Sequence, residues 1–148
     1  MQHHPRTGAL AGLFGSSFGG TVVLAYSAQH PIPRLATFAA PYTSKTVINT
    51  AMHSQDKERI KNRLEGALNF DLTPVLPMVR NVFVAHGERD ELVPIGHARH
   101  IHALAKAPKT LYIQAGGDHR MSNPVHQQAF SERFADWMTS VKGVEGMP

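Results

Sequence analysis

AGLFGSSFGG, residues 11–20, sets two serines among four glycines, directly after a run of small apolar residues. ALAGLF at 9–14 is short, apolar and closed by glycine, which suits a strand buried on both faces, as in parallel sheets. GGTVVLAYSAQHP then reads as a helix of about two turns, from the glycines to Pro31. Between strand and helix lies G-x-S-x-G, Gly15 to Gly19, with Ser17 at its centre. A serine on so sharp a turn needs a strained backbone and small neighbours. Its hydroxyl then stands above the strand end, where the helix N-terminus favours developing negative charge. The Phe18 N–H, next after Ser17, is half of the expected oxyanion hole. By itself the motif also fits a glycine-rich loop. A phosphate-cradling loop would need a following G-K-[ST], which is absent.

Outward from this stretch, strands and helices alternate. LATFAA at 35–40 is a second short apolar strand, and NVFVAHG at 81–87 is the clearest one. Pro94 opens a helix through Ala107, and TLYIQAGG at 110–117 is the fourth strand. The last helix follows Asn123-Pro124, with an apolar face of Val125, Ala129, Phe130, Phe134, Trp137, Met138 and Val141. Gln55 to Phe70 has helical spacing and is ended by Pro74 and Pro77. This alternation predicts an α/β fold, a parallel β-sheet flanked by helices.

A serine nucleophile needs a base, and the base needs an orienting acid. HGERDELVP, 86–94, places Asp90 just after one strand, and AGGDHRMS, 115–122, places His119 just after the next. Both fall at carboxyl ends of parallel strands, where sites on such sheets form. Each residue has a plainer reading. Ser16 is a small spacer in the turn. Asp90 could cap the following helix, and Asp118 competes as the carboxylate near His119. His86, beside Gly87 at a strand end, reads as a structural hydrogen-bonder ahead of the alternative that it lines the floor of the site. His97, His100 and His102 read as an exposed helix face and not as a metal site.

GSSFGG, HGERDELVP and GGDHR together resemble the nucleophile elbow, acid loop and histidine loop of the α/β-hydrolase superfamily, in order and over nearly the whole chain. The resemblance implies Ser17 as nucleophile, Asp90 as orienting acid and His119 as general base. FAAP at 38–41 is similar to the end of the strand between elbow and acid loop. In that superfamily the elbow follows the fifth of eight strands, whereas here it begins near residue 15. The expectation is a truncated α/β-hydrolase fold of about four strands, one domain over 1–148. The loop that normally gives the second oxyanion donor lies in the part not spanned. A partner chain or the 41–77 segment could substitute.

The implied activity is cleavage of small carboxylic esters through an acyl-enzyme, with no cofactor and no metal. Thioesters, lactones and small peptides stay open, because the triad does not choose among them. The alternative is a weak or inactive hydrolase fragment, an interaction module or a chain needing a partner. The first strand would be an unprotected edge, which predicts a homo-oligomer paired through 9–14.

The whole-chain numbers agree with this class. Of 148 residues, 42% are hydrophobic and 18% charged, as in soluble globular proteins. No apolar run reaches a membrane-span length, so no membrane partner is expected. The N-terminal patch is glycine-broken and does not read as a secretory signal. There is no cysteine, which excludes disulfides and thiolate chemistry; the expected location is cytoplasmic. The formal net charge is +4, but the densest basic group, KERIKNR at 57–63, reads as a solvated helix face. Nucleic acid is therefore not an expected partner.

Overall fold

A computed structural model describes residues 8, 10–46 and 69–140. The described elements are β1 (Leu13–Ser16), α1 (Phe18–Ser27), β2 (Leu35–Phe38), β3 (Val82–Gly87), α2 (Gly96–Leu104), β4 (Lys109–Gln114) and α3 (Pro124–Ser140). A short 3-10 turn, Leu76–Met78, precedes β3. The strands form one sheet in the order β1-β2-β3-β4, every pair parallel. Ser16 pairs with Phe38, Phe38 with Ala85, and Ala85 with Tyr112. This register aligns the carboxyl ends, so the loops carrying Ser17, Asp90 and His119 leave the sheet along one edge.

Side chains alternate across the strands and build a core on each face. Leu35, Val82 and Val84 pack with Leu24 of α1, Ala98 and Ile101 of α2, and Leu76 and Val79. Ala36, Phe38, Phe83 and Ala85 face the other way, toward Phe130, Phe134 and Trp137 of α3. Phe83 lies at the centre of that second core, 5.6 Å from Trp137 and 6.1 Å from Phe134 between ring centres. Truncating so buried a phenyl ring to alanine costs about 3–5 kcal/mol. Among the described residues no helix is long and apolar enough to cross a membrane.

Several boundaries differ from the sequence expectation. The first strand is Leu13–Ser16, not 9–14, and it is not buried on both faces: Phe14 is half exposed. The reason is position, because among the described residues β1 is the sheet's outer strand, with β2 as its one neighbour. Helix α1 starts at Phe18 and ends at Ser27, where the amides of Gln29 and His30 turn back on the Tyr26 carbonyl. β2 stops at Phe38 because Ala39 takes a φ of 52°. α2 is shorter at both ends than 94–107, and β4 ends before the turn at Gly116, whose φ is 67°. Val125 is 71% exposed and does not join the apolar face of α3. The helix expected from 55 falls on 55–68, outside the described residues, as do KERIKNR and Val141.

The histidine row on α2 also divides. His97 is buried, accepting from the Tyr42 amide at Nδ1 and bonded to Thr46 Oγ1 at Nε2. Its expected exposed place is therefore wrong: its ring secures the 42–46 segment to α2. Burial pulls its pKa from 6.5 down to about 4. His100 stacks on Tyr42. Among the described residues no cluster of His, Asp or Glu could hold a metal ion.

Candidate active site

Ser17 occupies the turn between β1 and α1 with φ 53° and ψ −126°. Non-glycine residues seldom adopt this conformation, which costs about 1–3 kcal/mol. Its surroundings hold it there: the Ser17 amide donates to the Phe38 carbonyl at 2.8 Å, and its own carbonyl accepts from Gly20 at 2.9 Å. The neighbouring glycines are unequal. A Cβ on Gly15 would come within 2.7 Å of the Gly20 nitrogen and closer still to the Gly19 carbonyl. One on Gly20 would lie 2.5 Å from Ala40 Cβ, where α1 presses on the chain after β2. Gly19 faces open space.

Asp90 follows β3 and its side chain is fully buried. Oδ1 accepts from the amides of Leu92 at 2.9 Å and Val93 at 2.7 Å, in the turn before α2; it does not cap that helix, whose N-cap Ile95 has no side-chain cap bond. It also meets His119: Nδ1 lies 2.9 Å from Oδ2 and 3.0 Å from Oδ1. Burial alone would raise its pKa. Hydrogen bonds from His86, the Val93 amide, His119 and the Leu92 amide outweigh that and hold it below the ordinary carboxylate value.

With Nδ1 against a carboxylate, the His119 ring carries its proton there and leaves Nε2 as an acceptor. Nε2 lies 3.1 Å from Ser17 Oγ. Such a chain can draw a proton from the hydroxyl while the carboxylate steadies the imidazolium that forms. Phe18 is the first residue of α1, where a helix amide has no intrahelical acceptor.

The structure brings Ser17, His119 and Asp90 together and keeps their sequence competitors apart. Asp118 is turned back on its own loop, where Oδ1 accepts from Ser122 at 2.8 Å. Ser16 is the last residue of β1 and lines a cavity of about 540 Å³ shared with Phe14, Phe38, His119, Met121 and Phe130.

Two acidic residues that the sequence reading passed over fasten the loops together. The Glu88 carboxylate accepts from the Gly116 amide at 2.9 Å, and that of Glu91 from the His119 amide at 3.1 Å. The main chains also bond directly, Arg89 to Gly117 at 2.8 Å and Glu88 to Gln114 at 2.9 Å. The acidic density of HGERDELVP was the available signal, but it does not say what each carboxylate meets.

Comparison with known proteins follows the same lines. The model of the prolyl oligopeptidase family matches residues 8–144. No curated protein matches the sequence. Among solved structures, the esterase domain of a Rhodothermus marinus protein is 22% identical with a TM-score of 0.66, over 88% of this chain and 60% of that one. An esterase from Exiguobacterium antarcticum is 18% identical with a TM-score of 0.64, over 87% of this chain and 66% of that one. An alpha/beta hydrolase from a Medee basin deep-sea metagenome is 13% identical with a TM-score of 0.71, over 94% of this chain and 69% of that one. The four-stranded sheet with its helices is thus a truncated α/β-hydrolase fold, and the chain spans about 60–69% of the length of these structures.

Proposed function

The chain belongs to the prolyl oligopeptidase family, a family of α/β hydrolases, and on that premise we propose that it cleaves small carboxylic esters. Ser17 is the nucleophile, His119 the general base and Asp90 the orienting acid. His119 Nε2 takes the Ser17 proton as Oγ attacks the ester carbonyl. The Phe18 N–H stabilises the oxyanion of the tetrahedral intermediate. The proton then passes to the leaving alcohol, and water releases the acyl group by the same route. No cofactor enters this scheme.

The observation that carries this reading is the hydrogen-bonded path from Ser17 Oγ through His119 to the buried Asp90 carboxylate. Esters are favoured over peptides because an alcohol leaves more readily than an amine. They ask least of a site whose elbow supplies one oxyanion N–H. The test is reaction of the folded protein with a fluorophosphonate, read by intact mass. One adduct per chain, lost in Ser17→Ala, supports the reading; no adduct on well-folded protein overturns it.

A second reading rests on β1 being the outer strand among the described residues and on the chain's span of 60–69% of its structural relatives. A site missing one oxyanion donor loses about 10²–10³ in rate. The chain would then be a weak hydrolase until a partner chain covers that edge. A second copy of this chain is the partner we favour, and a cytoplasmic setting suits a chain without cysteine.

A further inference from the structure

We infer that His86 is a positioning residue for Asp90, giving its carboxylate the donor that holds it square to His119. This rests on the reading of Ser17, His119 and Asp90 given above. His86 lies in β3, four residues before Asp90, and its side chain is fully buried. Its Nε2 is 2.7 Å from the Val93 carbonyl and 3.2 Å from Asp90 Oδ2. Both neighbours are acceptors, so Nε2 carries a hydrogen shared between them. Oδ2 is also the oxygen nearest His119 Nδ1. The carboxylate is therefore gripped at both oxygens, by amides at Oδ1 and by two imidazoles at Oδ2.

The other ring nitrogen marks this as more than packing. Nδ1 of His86 is buried and has no hydrogen-bond partner among the described residues. A histidine kept only to fill space would leave a polar atom stranded where an apolar side chain would not, and such burial is costly. The stranded atom is explained if the fold needs what Nε2 does. The same ring also ties Val93 to Asp90, fixing the turn that aims the carboxylate.

His97 lies near from α2 and stays neutral above about pH 4. The Glu91 carboxylate sits on the His119 amide, and Asp90 joins the two rings. Removing the His86 donor leaves Asp90 a stronger base. Asp90 then stabilises the His119 imidazolium more, and the His119 pKa rises.

The experiment is an NMR titration of the His119 ring in the wild-type protein, in His86→Leu and in His86→Gln, with fluorophosphonate labelling rates alongside. Glutamine keeps an N–H₂ donor at similar reach; leucine keeps bulk without a donor. We expect the His119 pKa to rise by about half a unit or more in His86→Leu and to return toward wild type in His86→Gln. An unmoved His119 pKa in a folded His86→Leu, or equal shifts in both variants, would overturn the inference. If His86→Leu does not fold, His86→Gln alone decides: the inference requires a His119 pKa within about 0.3 units of wild type. Failure of the functional reading is separate, because it appears as absent labelling in the wild type while the titration still reports on His119.

Discussion

Gly87 and Gly117 press their backbones together beneath the site. A Cβ on Gly87 would fall 2.7 Å from the Asp118 carbonyl oxygen and closer still to that of Gly117. These glycines let the Asp90 loop and the His119 loop share a wall. Gly87→Ala must push them apart. A misplacement of about 1 Å can cost roughly 10²-fold in rate, so labelling of Ser17 should slow by at least about that much. A Gly87→Ala protein that labels at the wild-type rate would refute this role.

The elbow glycines make a sharper contrast. Gly15 and Gly20 each face backbone or a buried methyl, whereas Gly19 faces open space in the first turn of α1. Gly19→Ala should be neutral or stabilising by up to about 1 kcal/mol, since alanine favours helix over glycine. Gly15→Ala and Gly20→Ala should each lower the unfolding midpoint and the labelling rate. Thermal unfolding of the three variants ranks them directly.

That contrast shows what the sequence could and could not say. The motif drew attention to Gly15 and Gly19 by letter, but close approach singles out Gly15 and Gly20. The strand–helix alternation and the order of Ser17, Asp90 and His119 were legible because periodicity and loop position are local properties. The burial of His97, the orphaned ring nitrogen of His86 and the grip of Glu91 on His119 depend on segments distant in sequence. β1 misled for a related reason. Its apolar letters suit an interior strand, yet it is the outer strand of this sheet, and Phe14 is half exposed.

The proposed roles separate by substitution. Ser17→Ala should abolish covalent labelling, and Ser16→Ala should leave it intact. Asp90→Asn keeps the shape of the side chain but offers His119 the wrong partner for its Nδ1 proton, and the rate should fall by about 10³–10⁴. Asp118→Asn should change the rate little, because that carboxylate serves Ser122. Labelling kinetics on the four variants tests each statement.

His97 should make folding sensitive to mild acid. Its pKa is about 4 in the fold against 6.5 for a free ring, so the unfolded chain binds the proton more readily. The contribution is fully present above about pH 6.5. It is lost as pH falls toward 4, to a total of about 3 kcal/mol. Asp90, also lowered, acts in a separate and more acidic window, below its free value of 3.8. Urea midpoints between pH 7 and 4 should therefore fall in the wild type. They should fall markedly less in His97→Gln, which starts lower because the bonds to Tyr42 and Thr46 are weakened.

The outer strand of the described sheet bears on assembly. Leu13 donates to Arg34 and Ser17 to Phe38, so the alternation of a strand turns the backbone groups of Phe14 and Ser16 away from β2. Beside them Phe14, Phe18, Val22 and Tyr26 are each about half exposed. No charged residue occurs between Arg6 and Arg34, so this edge lacks the lysines that commonly guard outer strands. A second copy could pair antiparallel at β1 and meet no like charge there, despite the chain's net charge of +4. Light scattering after size exclusion should give twice the mass of one chain, and Phe14→Lys should return it to one. A wild-type protein that stays monomeric across a hundredfold range of concentration would rule this pairing out.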